Sequence, residues 1–199
     1  VALQIIFDLV FLFGLDYFEE SMEEVAEVKV MGVISTALYD PDEKIQSTAA
    51  EGFAKLLLNR IINDKQVLEG LFYLYLHPAT LSSASVKQCL SYFFQAFAFI
   101  SPDNQLAIGS LIGKILGSWI RISRQVINTS ITLNYVSGQL LYLIDRTNLL
   151  SSVPRSYIEL YNQMYCQIAV DLSWVIINDP LDDNSKTISS IICKLPLKS

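Results

Sequence analysis

His77 is the only histidine of the chain, and Cys89, Cys166 and Cys193 are its only cysteines. Acid–base or nucleophilic catalysis needs such groups to converge with polar partners at hydrogen-bond reach. His77 precedes Pro78, has no Ser-His or Cys-His arrangement around it, and reads as a helix-stopping loop residue. GxSxG, Walker A, GxGxxG and HExxH are all missing. The cysteines form no CxxC and are odd in number, which fits neither a zinc site nor a disulfide framework and suits a reducing compartment. Asp182-Asp183 sits between Pro180 and Asn184 and reads as a turn. The expectation is no catalytic residue, no cofactor and no metal.

The remaining chemistry is charge. Residues 1–52 hold eleven acids and two bases, and residues 105–155 hold five bases and one acid. The acidic run Glu19–Glu27 reads as a solvated helix start, where negative charge suits the dipole. The basic end has better geometry. At about 100° per residue, Ile108, Leu111, Ile112, Ile115, Trp119 and Ile122 share one face. Lys114, Arg121 and Arg124 fall on another, beside Ser110, Gly113 and Gly117. A basic stripe flanked by small residues admits a phosphate backbone or an acidic peptide closely, and it competes with an ordinary solvated face of snorkelling arginines. Phosphate contacts of this kind position a partner without reading its sequence. The net charge of −6 argues against a wholesale nucleic-acid coat.

These residues need helices to position them. Apolar side chains recur at helical spacing almost everywhere, and no alternating strand pattern stands out. The spacing predicts helices at about 1–14, 22–38, 42–59, 64–76, 83–100, 102–123, 130–147, 155–178 and 185–194. Asp40-Pro41-Asp42-Glu43 and Ser101-Pro102-Asp103-Asn104 each offer a cap with proline at the first helical position. No apolar run reaches a clean membrane span: Val1–Leu15 is short and carries Asp8, and Leu106–Ile122 carries Lys114 and Arg121. Mean hydropathy is +0.38 and only 17% of residues are charged, so the helices are read as buried ones, with no membrane partner. The chain opens inside an apolar run without a cap, and is read as a piece of a longer protein from which a loop near 14–22 is easily lost. The aromatics Phe72, Tyr73, Tyr75, Tyr92, Phe93, Phe94, Phe97 and Phe99 read mostly as core between stacked helices.

A repeat emerges from the helices. Ile45-Gln46 opens a run in which Ala49, Ala50, Phe53 and Leu56 follow at helical spacing, in the manner of the second helix of a HEAT repeat. Val86-Lys87 stands 41 residues later and Leu3-Gln4 stands 42 residues earlier, with Phe94 and Phe11 matching Phe53. The expected fold class is all-α, a HEAT-repeat α-solenoid of antiparallel helix pairs forming one block over 1–199. The scheme fits 126–199 less well. Leu3, Ile45 and Val86 should hold equivalent buried positions, and the first helix should show an open side at Ile5, Leu9 and Leu12.

One stretch is more particular. Ser47–Leu58, Leu71–Thr80, Val86–Phe94 and Ser101–Gln105 together resemble the G-type HEAT-repeat subunits of condensin, the family of its third non-SMC subunit. The resemblance is closest over 47–101. It implies a non-enzymatic solenoid far longer than this chain, which binds a kleisin segment and with it holds double-stranded DNA. It further implies SMC subunits met indirectly, a role in mitotic chromosome condensation, and residence in the nucleus and on chromosomes with a cytoplasmic pool. The other class open to the residues is a HEAT or armadillo adaptor of transport or trafficking that reads peptides without touching DNA. An all-α enzyme or lipid-binding domain lacks its polar constellation.

Overall fold

In the computed structural model, the described residues are 1–15, 30–76, 83–123, 131–180 and 184–197. Among them are ten α-helices and no strand. They are α1 (Ala2–Phe13), α2 (Val30–Thr36), α3 (Glu43–Leu58), α4 (Lys65–Leu76), α5 (Ala84–Ile100), α6 (Pro102–Gly109), α7 (Ile112–Ser123), α8 (Leu133–Ile144), α9 (Arg155–Asn178) and α10 (Ser185–Lys194). Short 3-10 turns follow α2 at Ala37–Tyr39 and α8 at Arg146–Asn148. Contacts divide the chain into two compact units, Val1–Phe94 and Gln95–Ser199, with the boundary inside α5.

The caps explain the starts. Ser101 accepts from the Asp103 amide, with Pro102 in the first turn, as its sequence demands. At α3 the expected cap moves. Asp42, not Asp40, accepts from the amides of Lys44 and Ile45, while Asp40 accepts from the Asp42 amide in a turn before the helix. Thr132 caps α8 through the Tyr135 amide. The predicted helix over 102–123 is two helices. The Ser110 amide bonds to the Leu106 carbonyl and the Leu111 amide to the Ile108 carbonyl, closing α6 before α7 restarts.

In the first unit α1 packs on α3, and the turn at Ala37–Tyr39 packs on α3 and α4. Phe7 meets Phe53 edge to face at 4.9 Å and lies over Gly52, where a Cβ would stand 2.3 Å from its ring. Phe72 and Phe94 stack at 3.9 Å between α4 and α5. The repeat phase does not give the equivalence expected of it. Val86 is fully buried, Leu3 is half-buried, and Ile45 is 38% exposed. Phe53 and Phe94 are core, but Phe11 is 42% exposed. Ile45 lies in the first turn of α3, next to the Asp42 cap, where the helix has barely begun to pack. The first helix is open at Ile5 and Leu12, and at Phe13 as well, all more than half exposed, but Leu9, expected on the same side, is half-buried.

In the second unit α9 packs on α6, α7 and α10, while α8 packs on α6, α7 and α10. Of the predicted apolar face, Ile108, Leu111, Ile112, Ile115 and Trp119 are buried, joined by Leu116 and Ile120, while Ile122 near the end of α7 is only half-buried. Gln105 is fully buried and is satisfied at both ends of its amide. Its Nε2 donates to the carbonyls of Leu143 and Asp145, and its Oε1 accepts from the Tyr161 hydroxyl. The Tyr165 hydroxyl donates to the Ile144 carbonyl at 3.1 Å. These bonds fix the end of α8 against α6 and α9, because an unpaired buried polar group costs about 1–3 kcal/mol. Burial, with Asp145 nearby, pushes the Tyr165 phenol up to about 12; burial, with Tyr165 nearby, raises that of Tyr161 as well.

Gly52→Ala forces a methyl into the Phe7 ring, which costs about 1–3 kcal/mol of overpacking against the ~0.5–1 kcal/mol that alanine gains over glycine in a helix. The urea midpoint of the variant falls; an unchanged or higher midpoint would show that α1 does not sit on α3 this way. The raised phenols favour the neutral form in the folded state, so their contribution is complete below about pH 10, the unfolded value. It is lost as pH climbs through about 12 for Tyr165. Urea titrations across that window show stability falling, with a shallower fall in Tyr165→Phe; parallel losses would contradict the assignment.

Candidate functional site

One candidate site lies on α7, the helix Ile112–Ser123. Its apolar face is held down by α8 and α9, which leaves the opposite face to carry Lys114 and Arg121, both exposed. The two lie seven residues apart, hence about 10 Å along the helix on the same side. That span is about three phosphate steps of a duplex strand. Arg121 donates from its guanidinium to the Ser118 hydroxyl at 3.1 Å, which steadies its stem over the helix one turn back. Gly117 lies between the two cations, and a Cβ there would meet nothing within 4 Å, so the surface is open at that point. Arg124, the third member of the stripe, lies outside the described residues.

The small residues expected to flank the stripe divide three ways. Gly117 leaves open surface. Ser110 belongs to the break before α7, where its hydroxyl donates to the Ala107 carbonyl. Gly113 is occupied from the other side: a Cβ there would stand 2.6 Å from the Asp171 side chain on α9. Asp171 in turn accepts from Gln167 at 2.7 Å. A carboxylate therefore sits one residue from Lys114, which sets the stripe's positive field off towards Arg121. No helical spacing announces Asp171, since it reaches α7 from 58 residues further along the chain. The only mark it leaves in the sequence is the glycine that makes room for it.

Other candidates fall elsewhere. His77, Glu19–Glu27 and Asp182-Asp183 lie outside the described residues. The cysteines are free thiols, with Cys166 and Cys193 exposed and Cys89 half-buried. Burial, and next the charge of Glu51, raise the Cys89 thiol above its ordinary range and make it a poor nucleophile. Among the described residues no three His, Cys, Asp or Glu side chains come together as a metal site, and no helix is long and apolar enough to cross a membrane. Of the eight aromatics, Phe72, Phe93, Phe94 and Phe97 are core, whereas Tyr92 is 71% exposed on α5.

Several known proteins are similar to this chain. The chain is 28% identical over 127 residues to condensin complex subunit 3 of Homo sapiens, covering 52% of this chain and 12% of that protein. It is 28% identical over 131 residues to condensin complex subunit 3 of Schizosaccharomyces pombe, covering 63% of this chain and 15% of the relative. The chain thus spans about an eighth of the length of the curated relatives it matches. In fold it is similar to a chain in the crystal structure of the S. pombe condensin Cnd3-Cnd2 subcomplex, with a TM-score of 0.79 and 22% identity. That likeness covers 99% of this chain and 25% of the other, and it establishes the all-α HEAT-repeat fold class. The profile of the Cnd3 family, described as the C-terminal domain of nuclear condensing complex subunits, matches residues 1–197, and the chain belongs to that family.

Proposed function

We propose that this chain is part of a non-catalytic HEAT-repeat scaffold subunit of condensin, which binds the kleisin subunit and adds to DNA retention during mitotic chromosome condensation. Family membership over residues 1–197 is the observation that carries the reading. The S. pombe relative crystallised with Cnd2 supports a kleisin partner, and the kleisin in turn supplies the indirect link to the SMC subunits. The nucleus and chromosomes, with a cytoplasmic pool, follow as its place of work. The part in DNA binding rests on α7. Lys114 and Arg121 present two cations on one open face, and Arg124 is the third base of the stripe in the sequence. Their work is electrostatic: each neutralised phosphate releases counterions, so affinity depends on salt and little on sequence.

The test is the Lys114→Glu, Arg121→Glu, Arg124→Glu triple variant of the kleisin-bound subunit, titrated with duplex DNA at two salt concentrations. Each lost phosphate contact lowers the salt slope by about one unit, so the slope falls by about two to three and affinity drops for all sequences alike. Helicity is retained because the exposed positions lie off the apolar face of α7. A triple variant that binds like the parent, with the same slope, would make this stripe a solvated face and move DNA contact outside it.

A further inference from the structure

A second surface of the opposite charge lies in the first unit. Between α1 and α3 runs an open groove of about 350 Å³, whose floor is Phe7, Gly52 and Leu56 and whose rim carries Asp8, Phe11, Glu51 and Lys55. The floor exists because Gly52 has no Cβ: the Phe7 ring lies down against α3 and leaves the space above it empty. Lys55 pairs with Glu51 at 3.0 Å, but both side chains are more than half exposed. Such a surface pair is worth little and yields readily to a competing cation. Asp8 has no cationic partner among the described residues. Phe11 is 42% exposed and offers a ring beside the two carboxylates.

We propose that this groove binds an extended peptide by one arginine or lysine side chain, taken between Asp8 and Glu51, with a neighbouring apolar residue of the peptide on Phe11. Two carboxylates at the rim of one hollow hold a cationic head by charge, and the exposed Phe11 ring of the same rim takes the apolar neighbour. The volume suits a few side chains and not a helix or a duplex. Asp8, Glu51 and Lys55 leave the rim with one negative charge in excess, a local field that draws a cationic side chain. The proposal uses only α1 and α3 and is independent of the kleisin and DNA readings.

The probe is a phage-displayed library of random 12-residue peptides, selected on the intact subunit and followed by fluorescence anisotropy with the enriched peptides. The enriched sequences share an arginine or lysine next to an apolar residue, and bind Asp8→Lys/Glu51→Lys at least tenfold more weakly than the parent. Phe11→Ala weakens them severalfold with charge unchanged, and Lys55→Ala, which frees Glu51, tightens them. Circular dichroism checks each variant, and Asp8→Asn/Glu51→Gln replaces the reversal if helicity drops. Enriched peptides without a basic residue, an empty selection, or affinities that the charge variants leave unmoved would each overturn the assignment.

Discussion

Helices that have only helices to pack against must bury their apolar faces at one another's surfaces, and the separation is set where a side chain of one meets the backbone of the next. At Gly52 the meeting is between a phenyl ring and bare backbone, and α1 settles on α3. At Gly113 a carboxylate from α9 takes the same kind of place on α7. The basic face of α7 and the groove at Phe7 both follow from these approaches. The ring on Gly52 leaves a hollow above it, and the packing of α7 on α8 and α9 fixes which of its faces looks outward.

Polar bonds decide register once apolar contact has decided separation. Gln105 is the clearest case, a fully buried amide whose three bonds reach the end of α8 and the side of α9. Leucine at this position would bury as well, but would leave the Tyr161 hydroxyl and two carbonyls competing for partners they cannot reach. The Tyr165 hydroxyl repeats the device one turn further along α9, at the Ile144 carbonyl. Through them α9 is held against both its neighbours along the length that carries Asp171 to Gly113, so the electrostatics of the basic face depend on bonds buried well beneath it.

Most of the helices were legible because their ends carry local chemistry. The structure keeps α9 and α10 at the expected 155–178 and 185–194. The break at Ser110-Leu111 was not legible, since the apolar period runs across it and no proline or cap marks the restart at Ile112. The cap at Asp42 was displaced from Asp40 because both carboxylates can accept an amide two residues on, and only the packed position of α3 chooses between them. Similarly, the repeat phase shared by Leu3, Ile45 and Val86 is a property of sequence spacing, while their burial depends on what each helix end meets. Of the site, the two cations on α7 were legible from helical spacing alone, but the carboxylate beside them and the groove at Phe7 arise from tertiary contact.

The central claim is that α7 presents its cations to a DNA backbone while the subunit is bound to its kleisin. Site-specific photo-cross-linking tests it directly, with Gly117→p-benzoylphenylalanine placing the reactive group in open space between Lys114 and Arg121 and leaving both cations intact. The same group at Tyr92, which is exposed on α5 in the other unit, serves as the control. The account predicts cross-links from position 117 to duplexes of unrelated sequence, lost as salt is raised, and none above background from position 92. Cross-links from position 92 with none from 117, or equal yields from both, would contradict it.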